Sequence, residues 1–375
     1  MIQVFYPENN AVVSLISDVQ REFMYKQFNN VYTDSEKSYD WIVEKYGKDF
    51  VGYYVDNPES INLTQPRYVE FAWRSDKPCK IEIYREKGNF PGDPEEWEIL
   101  PVEEKHGLCT CLVGNLFMRT RYYWKVVSLD GEEESPTFTF ITANEYPRAI
   151  YAQGASNIRD IGALERYDGT RLRQGCIYRG TCLESNIDRE YQLTQRGICA
   201  LRDKLKIKSD VDLRKEVYGK LTESALGDAV NYVQLIGRGY ELFYAQENLH
   251  YCKALIEFLA DENNYPVYVH CWGGADRTGT LFFFLGMLLG VKFEYLVADY
   301  NITTLTVLGR RYTPMSMAEN DYAYFWAGPD FDGDHAPTVM KNAKRFLVEK
   351  CGVSEETVER LKRNLIENYD PSETL

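Results

Sequence analysis

Hydrophobic and polar positions divide the chain into two halves with different periodicities. In the first half, short runs rich in β-branched and aromatic residues alternate with polar or Gly/Pro-bearing turns, which is typical of antiparallel strands. A strand near residues 11–15 is followed by a helical pattern over about residues 18–50. The remaining predicted strands are YVEFAW at 68–73, CKIEIYR at 79–85, LCTCLV at 108–113, RYYWKVVS at 121–128 and PTFTFIT at 136–142. We therefore expect residues 1–146 to form a β-sandwich with a helical insertion.

Beyond about residue 150, strand-like runs alternate with helical patterns, which is the signature of an α/β domain. The strand candidates are residues 176–179, 209–213, 232–235 and 265–269. The helix candidates are residues 193–204, 247–259, 278–289, 341–350 and 354–368, the last with Ser354 as its N-cap. Residues 144–152 carry Pro147 and lack a strand pattern, so we expect a linker there. The sequence predicts a second domain over residues 147–375.

Composition and charge exclude several classes of function. A chain of 375 residues, 44% of them hydrophobic, is long enough for two cores. Its 57 acidic and 43 basic residues give a net charge of -14, which argues against binding nucleic acid or an anionic membrane surface. The longest apolar run, residues 280–291, is shorter than the roughly 18 residues of a membrane-spanning helix. The first residues lack a signal-peptide pattern, so we expect a soluble protein, either cytoplasmic or exported as a mature form.

Nine cysteines are present, and none forms a C-x-x-C pair. A disulfide framework needs denser and more regular spacing, and a zinc site is usually marked by such pairs. Cys109 and Cys111 are separated by one residue and would share one face of a strand. We expect most of the nine to be buried thiols.

The chemically informative segment is YPVYVHCWGGADRTG at residues 265–279. An apolar strand leads into His270 and Cys271, then into a glycine-containing loop with Arg277 at its end, and then into an apolar helix. A strand-to-helix loop of this kind turns successive backbone N–H groups toward a tetrahedral dianion. Arg277 adds a planar fork for two phosphoryl oxygens. The predicted phosphate-binding loop consists of Trp272, Gly273, Gly274, Ala275, Asp276 and Arg277.

The same loop predicts a nucleophile at its floor. The amides, the helix dipole and Arg277 favour the thiolate of Cys271, so its pKa should lie below the ordinary value of ~8.5. The thiolate can attack phosphorus while the amides and Arg277 stabilise the equatorial oxygens, and no metal or cofactor is required. Thr278 is expected to stabilise the thiolate, and His270 to orient the loop.

Two carboxylates are candidates for the general acid that protonates the leaving oxygen. Asp276 lies at the mouth of the predicted loop, although a structural carboxylate that accepts hydrogen bonds from loop amides is an equally good interpretation. The rival is Asp228, in the Gly- and Ala-flanked loop before the strand at 232–235. Asp276 is the first choice, and the sequence leaves Asp228 open.

This order of residues resembles the cysteine-dependent protein tyrosine phosphatase superfamily, whose signature is H-C-x5-R-[ST]. HCWGGADRTG is similar to the bacterial and fungal branch with a G-x-D-R-T-G ending, and NIRDIG at 157–162, IYRGT at 177–181 and DVDLRKE at 210–216 resemble further blocks of that branch. The resemblance covers about residues 150–370 and implies a tyrosine-phosphatase-like α/β domain. It also implies that Arg179 and Arg214 hold the loop or shape its phosphate pocket, with Asp160 as a salt-bridge partner.

The first half is similar to fibronectin type III or immunoglobulin-like modules, because YYWKVV at 122–127 resembles the Tyr-x-Trp-x-Val strand of the former. That likeness implies a docking or spacer role. The aromatic residues Tyr240, Phe243, Tyr244 and those at 322–326 are candidates for a pocket around an aryl phosphate, although aromatic stripes are more often core.

The expected function is hydrolysis of phosphomonoesters through a cysteinyl-phosphate, with a phosphorylated protein or a small phosphomonoester as the partner. Phosphotyrosine is the first substrate class. Dual-specificity, inositol phosphate or phosphoinositide hydrolysis is the alternative, as is a phosphate-binding protein without turnover. Ala275 stands where the branch often has a lysine, which argues against phosphoinositides.

Overall fold

A computed structural model describes residues 1–29, 35–47, 62–86, 98–100, 103–105, 107–184, 192–214, 222–236, 246–306 and 335–370. Strands β1 to β15 are Gln3–Tyr6, Ala11–Val13, Val69–Arg74, Cys79–Arg85, Glu98–Leu100, Glu103–Lys105, Leu108–Val113, Arg121–Ser128, Phe138–Thr142, Arg148–Ala149, Arg159–Asp160, Ile177–Gly180, Ser209–Asp212, Asn231–Gln234 and Val267–His270. Helices α1 to α8 are Asp18–Phe28, Ser35–Tyr46, Gln195–Ile198, Leu249–Leu259, Asp276–Leu288, Phe293–Asn301, His335–Arg345 and Glu355–Leu365. The π-helical segments Cys199–Lys204 and Phe346–Lys350 extend α3 and α7, and 3₁₀ turns occupy Gln246–Asn248, Glu262–Asn264 and Ile302–Leu305.

The described strands of the first half form two sheets, with strand orders β1-β3-β7-β6 and β2-β9-β8-β4-β5. Buried side chains alternate with exposed or partly exposed ones along β3 and with partly exposed ones along β8, so each sheet has one apolar face. The two apolar faces meet where the Phe71 ring of β3 lies 4.7 Å from the Trp124 ring and 5.8 Å from the Phe140 ring. The predicted strands at 79–85, 108–113 and 121–128 are confirmed at their bounds, whereas β1 was not predicted.

Within the predicted helical insertion, the structure describes helices α1 and α2. A capping box begins α1: the Ser17 side chain accepts from the amide of Gln20, and the Gln20 side chain accepts from the amide of Ser17. The same Gln20 donates through Nε2 to the carbonyls of Leu63, at 3.2 Å, and Gln65, at 3.1 Å. Residues 62–65 are thereby tied to α1.

The second half is built on a sheet with the order β10-β11-β12-β15-β13-β14, in which β12, β15, β13 and β14 are parallel. The predicted α/β architecture is confirmed, and each of its predicted strands is present within two residues. Helix α5 is buried from Thr278 to Leu288, which explains its apolar composition. Because parallel strands end at the same edge, the segments after β12, β13 and β15 lie together.

Residues 144–152 do not form the loose linker expected from their sequence. Arg148 and Ala149 form β10, which pairs with β11, and Tyr146 to Ile150 are all buried. The larger hydrophobic core cluster contains residues of both halves, among them Phe71 and Val269. The connection is therefore part of a shared interior.

The thiols follow the expectation from composition. Eight of the nine cysteines are buried and Cys199 is partly exposed, and Cys109 and Cys111 occupy one buried face of β7. None of the helices in the described ranges is long and apolar enough to cross a bilayer.

Candidate active site

The loop that carries Cys271 connects β15 to α5. His270, the last residue of β15, is paired with Gly180 of β12 on one side and with Asp212 of β13 on the other. Helix α5 begins at Asp276, so residues 271–275 turn between the end of a central strand and the amino terminus of a buried helix. A helix amino terminus favours an anion.

Carbonyl groups of this loop are held by the surrounding protein. The Cys271 carbonyl lies 2.9 Å from Nδ1 of His270, and the Trp272 carbonyl accepts a hydrogen bond of 2.9 Å from the amide of Cys182. The N–H and C=O groups of a trans peptide point in opposite directions. Fixing the carbonyls toward the scaffold therefore turns the amides that follow them toward the opposite side.

The next two carbonyls are held by side chains. Asn157 donates through Nδ2 to the carbonyl of Gly273 at 3.0 Å, and Arg179 donates through Nη2 to the carbonyl of Gly274 at 2.8 Å. Gly274 has a φ of +65°, and a Cβ placed on it would lie 2.2 Å from the carbonyl oxygen of Gly180. The close approach to β12 therefore requires glycine at position 274.

Cys271 is only 4% exposed, at the floor of the loop. Burial raises the pKa of its thiol, but hydrogen bonds from the side chain and backbone of Thr278 and the charge of Arg277 lower it further than burial raises it. The nearby Asp276 carboxylate opposes this effect. The Thr278 hydroxyl is buried and has no other hydrogen-bond partner among the described residues. The net result is a thiol whose pKa is below its ordinary value.

His270 is fully buried beneath the loop. Its Nε2 lies 3.1 Å from Oδ1 of Asp210. Burial alone would lower the pKa of the imidazole, but Asp210, and more weakly Asp212, raise it to about 10. An imidazolium at neutral pH has no free lone pair, so His270 is unsuited to act as a general base.

Arg179 belongs to a buried network centred on Asp299 of α6. Its Nη1 lies 2.5 Å from Oδ2 of Asp299, and Arg159 lies 2.6 Å from Oδ1 of the same carboxylate through Nε. Burial would raise the pKa of Asp299, but the two guanidinium groups lower it to about 2. Asp299 is therefore ionised and holds both arginines behind the loop.

Arg214 and Asp160 lie in salt bridges of their own. Arg214 follows β13 and pairs with Asp212, at 2.7 Å between Nη2 and Oδ2, and with Glu184. Asp160 pairs with Arg148 and accepts hydrogen bonds from the amides of Gly162 and Gly175. The salt bridge of Asp160 connects β10 to β11 and does not involve Arg179 or Arg214.

The two candidate acids lie at opposite edges of the sheet. Asp276 is the first residue of α5 and is half-buried beside Cys271. Asp228 is exposed and precedes β14, so it lies at the amino-terminal edge of the parallel strands, whereas Cys271 follows their carboxyl edge. Asp276 is the one of the two that shares the loop with the nucleophile.

Sequence reasoning missed Asn157, Asp210 and Asp299 as members of the site. Asn157 opens the NIRDIG block, and Asp299 interrupts the apolar run of helix α6, whose other carboxylate, Glu294, lies in its first turn. Both positions could have been singled out from the sequence on these grounds. The aromatic candidates Tyr240, Phe243, Tyr244 and those at 322–326 lie outside the described residues, as do Lys215 and Glu216 of the DVDLRKE block.

Comparisons with known proteins identify the second half. The tyrosine phosphatase family model matches residues 150–367. Among solved structures, the chain is similar to the core catalytic domain of the PP-IP phosphatase SIW14 from S. cerevisiae in complex with citrate, with 22% identity, 34% of this chain and 70% of that chain covered, and a TM-score of 0.25. It is also similar to the Yvh1 phosphatase domain from Chaetomium thermophilum, with 12% identity, 50% and 88% covered, and a TM-score of 0.20. No curated protein matches the chain. Because the family model spans more than half of its residues, the chain belongs to the tyrosine phosphatase family and is a cysteine-based phosphatase.

Proposed function

We propose that the protein hydrolyses phosphomonoesters through a cysteinyl-phosphate on Cys271, with phosphotyrosine in proteins as its main substrate class. The observation that supports this most strongly is the buried Cys271, whose thiol pKa is lowered at the floor of a loop with fixed carbonyls. In the first step the sulfur forms a bond to phosphorus and the phosphorus–oxygen ester bond breaks. In the second, water attacks phosphorus, the sulfur leaves as thiolate, and orthophosphate is released.

Each loop residue has a defined part in these steps. The amides of residues 272–277 and the guanidinium of Arg277 bind the three equatorial phosphoryl oxygens, where negative charge accumulates. Thr278 stabilises the thiolate before attack and as it leaves. Asp276 donates its proton to the leaving oxygen in the first step and accepts a proton from water in the second. Arg179 and His270 hold the loop from behind.

The preference for a single phosphate rests on the charges around the loop. Position 275 carries an alanine whose side chain is buried, so it supplies no second cation. Arg214, which the family resemblance assigned to the pocket, is engaged by both Asp212 and Glu184. A polyphosphorylated inositol binds most strongly where several cationic side chains are available for its additional phosphates. Positions 275 and 214 do not supply such side chains.

Steady-state hydrolysis of para-nitrophenyl phosphate in EDTA over a pH series tests the mechanism. Cys271→Ser should abolish turnover, and Asp276→Asn should lower kcat by about 100-fold or more and remove the decline on the basic side of the profile, because no acid then deprotonates. Asp228→Asn is the matched control and should leave the profile unchanged. If Asp276→Asn keeps the basic decline and Asp228→Asn removes it, the assignment of the acid is wrong.

A substrate panel tests the proposed class. A phosphotyrosine peptide should give a higher kcat/KM than a phosphoserine peptide of the same sequence, an inositol polyphosphate or a phosphoinositide. Preference for phosphoserine or for an inositol phosphate would replace the phosphotyrosine assignment by the dual-specificity or inositol phosphate alternative. Orthophosphate binding without turnover of any ester would leave only a phosphate-binding role.

We further propose that the chain divides near residue 147 into a fibronectin type III- or immunoglobulin-like module and a catalytic domain of the bacterial and fungal branch. The packed sheets of the first half support the first assignment, and the loop sequence HCWGGADRTG supports the second. A partner-docking role for the first half is part of the same proposal. Binding of phosphoproteins to the Cys271→Ser variant, with and without substitutions on the outer faces of the sheets, tests it.

A further inference from the structure

We infer that the N-terminal half is a working part of the phosphate-binding site, because Thr64 and Tyr146 position the loop through Asn157 and Asp299. This inference rests on the proposed role of the loop in binding a phosphoryl group. It makes Thr64 and Tyr146 positioning residues, since each acts on the loop through another side chain.

The first connection runs through Thr64, which is 8% exposed. Its hydroxyl donates to Oδ1 of Asn62 at 2.7 Å, and its oxygen accepts from the amide of Asn157 at 3.1 Å. Asn157 has a φ of +56°, a left-handed conformation that is uncommon outside glycine and needs support from its surroundings. The side chain of the same residue donates to the carbonyl of Gly273 at 3.0 Å. Thr64 therefore supports Asn157, which holds the carbonyl of Gly273.

The second connection runs through Tyr146, whose ring is buried. Its hydroxyl lies 2.5 Å from Oδ1 of Asp299. Because Asp299 is ionised and can only accept, the Tyr146 hydroxyl donates this hydrogen bond. Asp299 holds Arg179 at 2.5 Å, and Arg179 donates to the carbonyl of Gly274 at 2.8 Å. Tyr146 therefore acts on the second carbonyl through two intermediate groups.

The two connections are also joined to each other. Arg159, which bonds Asp299 through Nε, donates through Nη1 to Oδ1 of Asn157 at 2.7 Å. Asp299 thus lies behind both carbonyls, through Arg179 on one side and through Arg159 and Asn157 on the other. A change at either N-terminal hydroxyl is transmitted to a network that fixes consecutive peptides of the loop.

Helix α1 holds the helix that carries Asp299. Gln27 accepts a hydrogen bond of 3.0 Å from Nδ2 of Asn301, and the Phe28 ring lies 5.0 Å from the Tyr295 ring. Both Asn301 and Tyr295 belong to α6, like Asp299. The N-terminal half therefore fixes α6 as well as the hydrogen-bonded groups themselves.

The test uses the full chain and variants that remove one hydroxyl at a time, Thr64→Val and Tyr146→Phe. Matched controls are Thr120→Val and Tyr122→Phe, which remove buried hydroxyls of the first half that bond the carbonyl of Met118 and the amide of Phe117, each at 2.8 Å. These two bonds of the control hydroxyls lie within the first half. Three quantities are measured: the thermal midpoint, the inhibition constant of orthophosphate, and the pH dependence of Cys271 alkylation by iodoacetate.

Each of the two test variants should raise the inhibition constant of orthophosphate by about threefold to tenfold, as expected for one lost hydrogen bond. Each should also raise the pKa of Cys271 measured from the pH dependence of alkylation. The controls should lower only the thermal midpoint. If Thr64→Val and Tyr146→Phe also lower only the thermal midpoint, the first half merely stabilises the fold and the inference is wrong.

The alkylation readout separates this inference from the proposed function. Protection of Cys271 by orthophosphate requires an intact loop but no turnover. If the wild type hydrolyses no ester, yet orthophosphate protects Cys271 and the two variants weaken that protection, the proposed function fails and the positioning role stands. If the wild type hydrolyses ester and the two variants behave as the controls do, the proposed function stands and the positioning role is wrong.

Discussion

Gly274→Ala is the sharpest perturbation that the loop offers. The added Cβ would lie 2.2 Å from the carbonyl oxygen and 2.5 Å from the carbonyl carbon of Gly180, and real Cβ atoms essentially never approach below 3.0 Å. The loop must therefore move away from β12 by about 1 Å, which is also the scale of misplacement that costs about 100-fold in rate. A 100-fold loss corresponds to about 2.7 kcal/mol of transition-state stabilisation.

The backbone contributes a separate cost, because a φ of +65° is unfavourable for alanine by about 1–2 kcal/mol. Gly169→Ala isolates that cost, since Gly169 has a φ of +81° and no atom lies within 4 Å of its added Cβ. Thermal unfolding and kcat/KM on para-nitrophenyl phosphate are measured for both variants. Both should lose stability, but only Gly274→Ala should lose about 100-fold in kcat/KM. If Gly274→Ala retains wild-type kcat/KM, the loop is not seated against Gly180 as described.

Three further predictions follow from the groups behind the loop. Asp299→Asn should reduce the free energy of unfolding by about 3 kcal/mol, because Arg159 and Arg179 lose their buried counter-charge. The folded pKa of Asp299, about 2, is below its ordinary 3.8, so this difference from wild type should shrink as the pH falls through 3.8 toward 2 in denaturation experiments. For His270 the folded pKa, about 10, exceeds the ordinary 6.5, so the excess stability of wild type over His270→Gln should be greatest below pH 6.5 and disappear as the pH rises through 10; a constant difference would contradict the charged imidazole. In Arg179→Lys the single ammonium group cannot replace both guanidinium nitrogens that bond Asp299 and the Gly274 carbonyl, so the inhibition constant of orthophosphate should rise about tenfold. An unchanged inhibition constant would show that the bond to the Gly274 carbonyl is dispensable.

The strand, the loop and the helix around Cys271 were predictable from sequence because they are continuous in the chain. Local pattern also predicted Ser354 as an N-cap, and its side chain accepts from the amide of Thr357 at 3.0 Å. The predicted contact of Arg179 with the loop is present as its hydrogen bond to Gly274. Short-range spacing carries the loop and the N-cap, since each residue's neighbours are fixed by the element to which it belongs. The Arg179 contact joins residues 95 positions apart and was implied by the family resemblance, not by spacing.

Contacts across the fold were beyond the sequence pattern. Asp299 meets Arg159 across 140 positions, and Asn157 meets Thr64 across 93 positions, so no local periodicity links them. The exposed Asp228 remained a rival acid in the sequence analysis. Which edge of the sheet it occupies follows from how the strands pair, and only the structure shows that pairing. The linker expected at residues 144–152 failed for a similar reason. Pro147 ends a strand pattern locally, while Arg148 is buried through its salt bridge to Asp160.

The shared interior of the two halves limits how this chain can be recombined. A catalytic half excised at residue 147 and grafted onto another carrier would arrive without Tyr146, without Thr64, and with the Asn157 amide unpaired. Gene fusions that join independent modules tolerate such exchanges, since few contacts cross the junction. Here the smallest piece that could be transplanted intact includes residues 62–65 and α1. Modular exchange between relatives should therefore preserve both halves together, and chimeras cut at the connection should need compensating substitutions behind the loop.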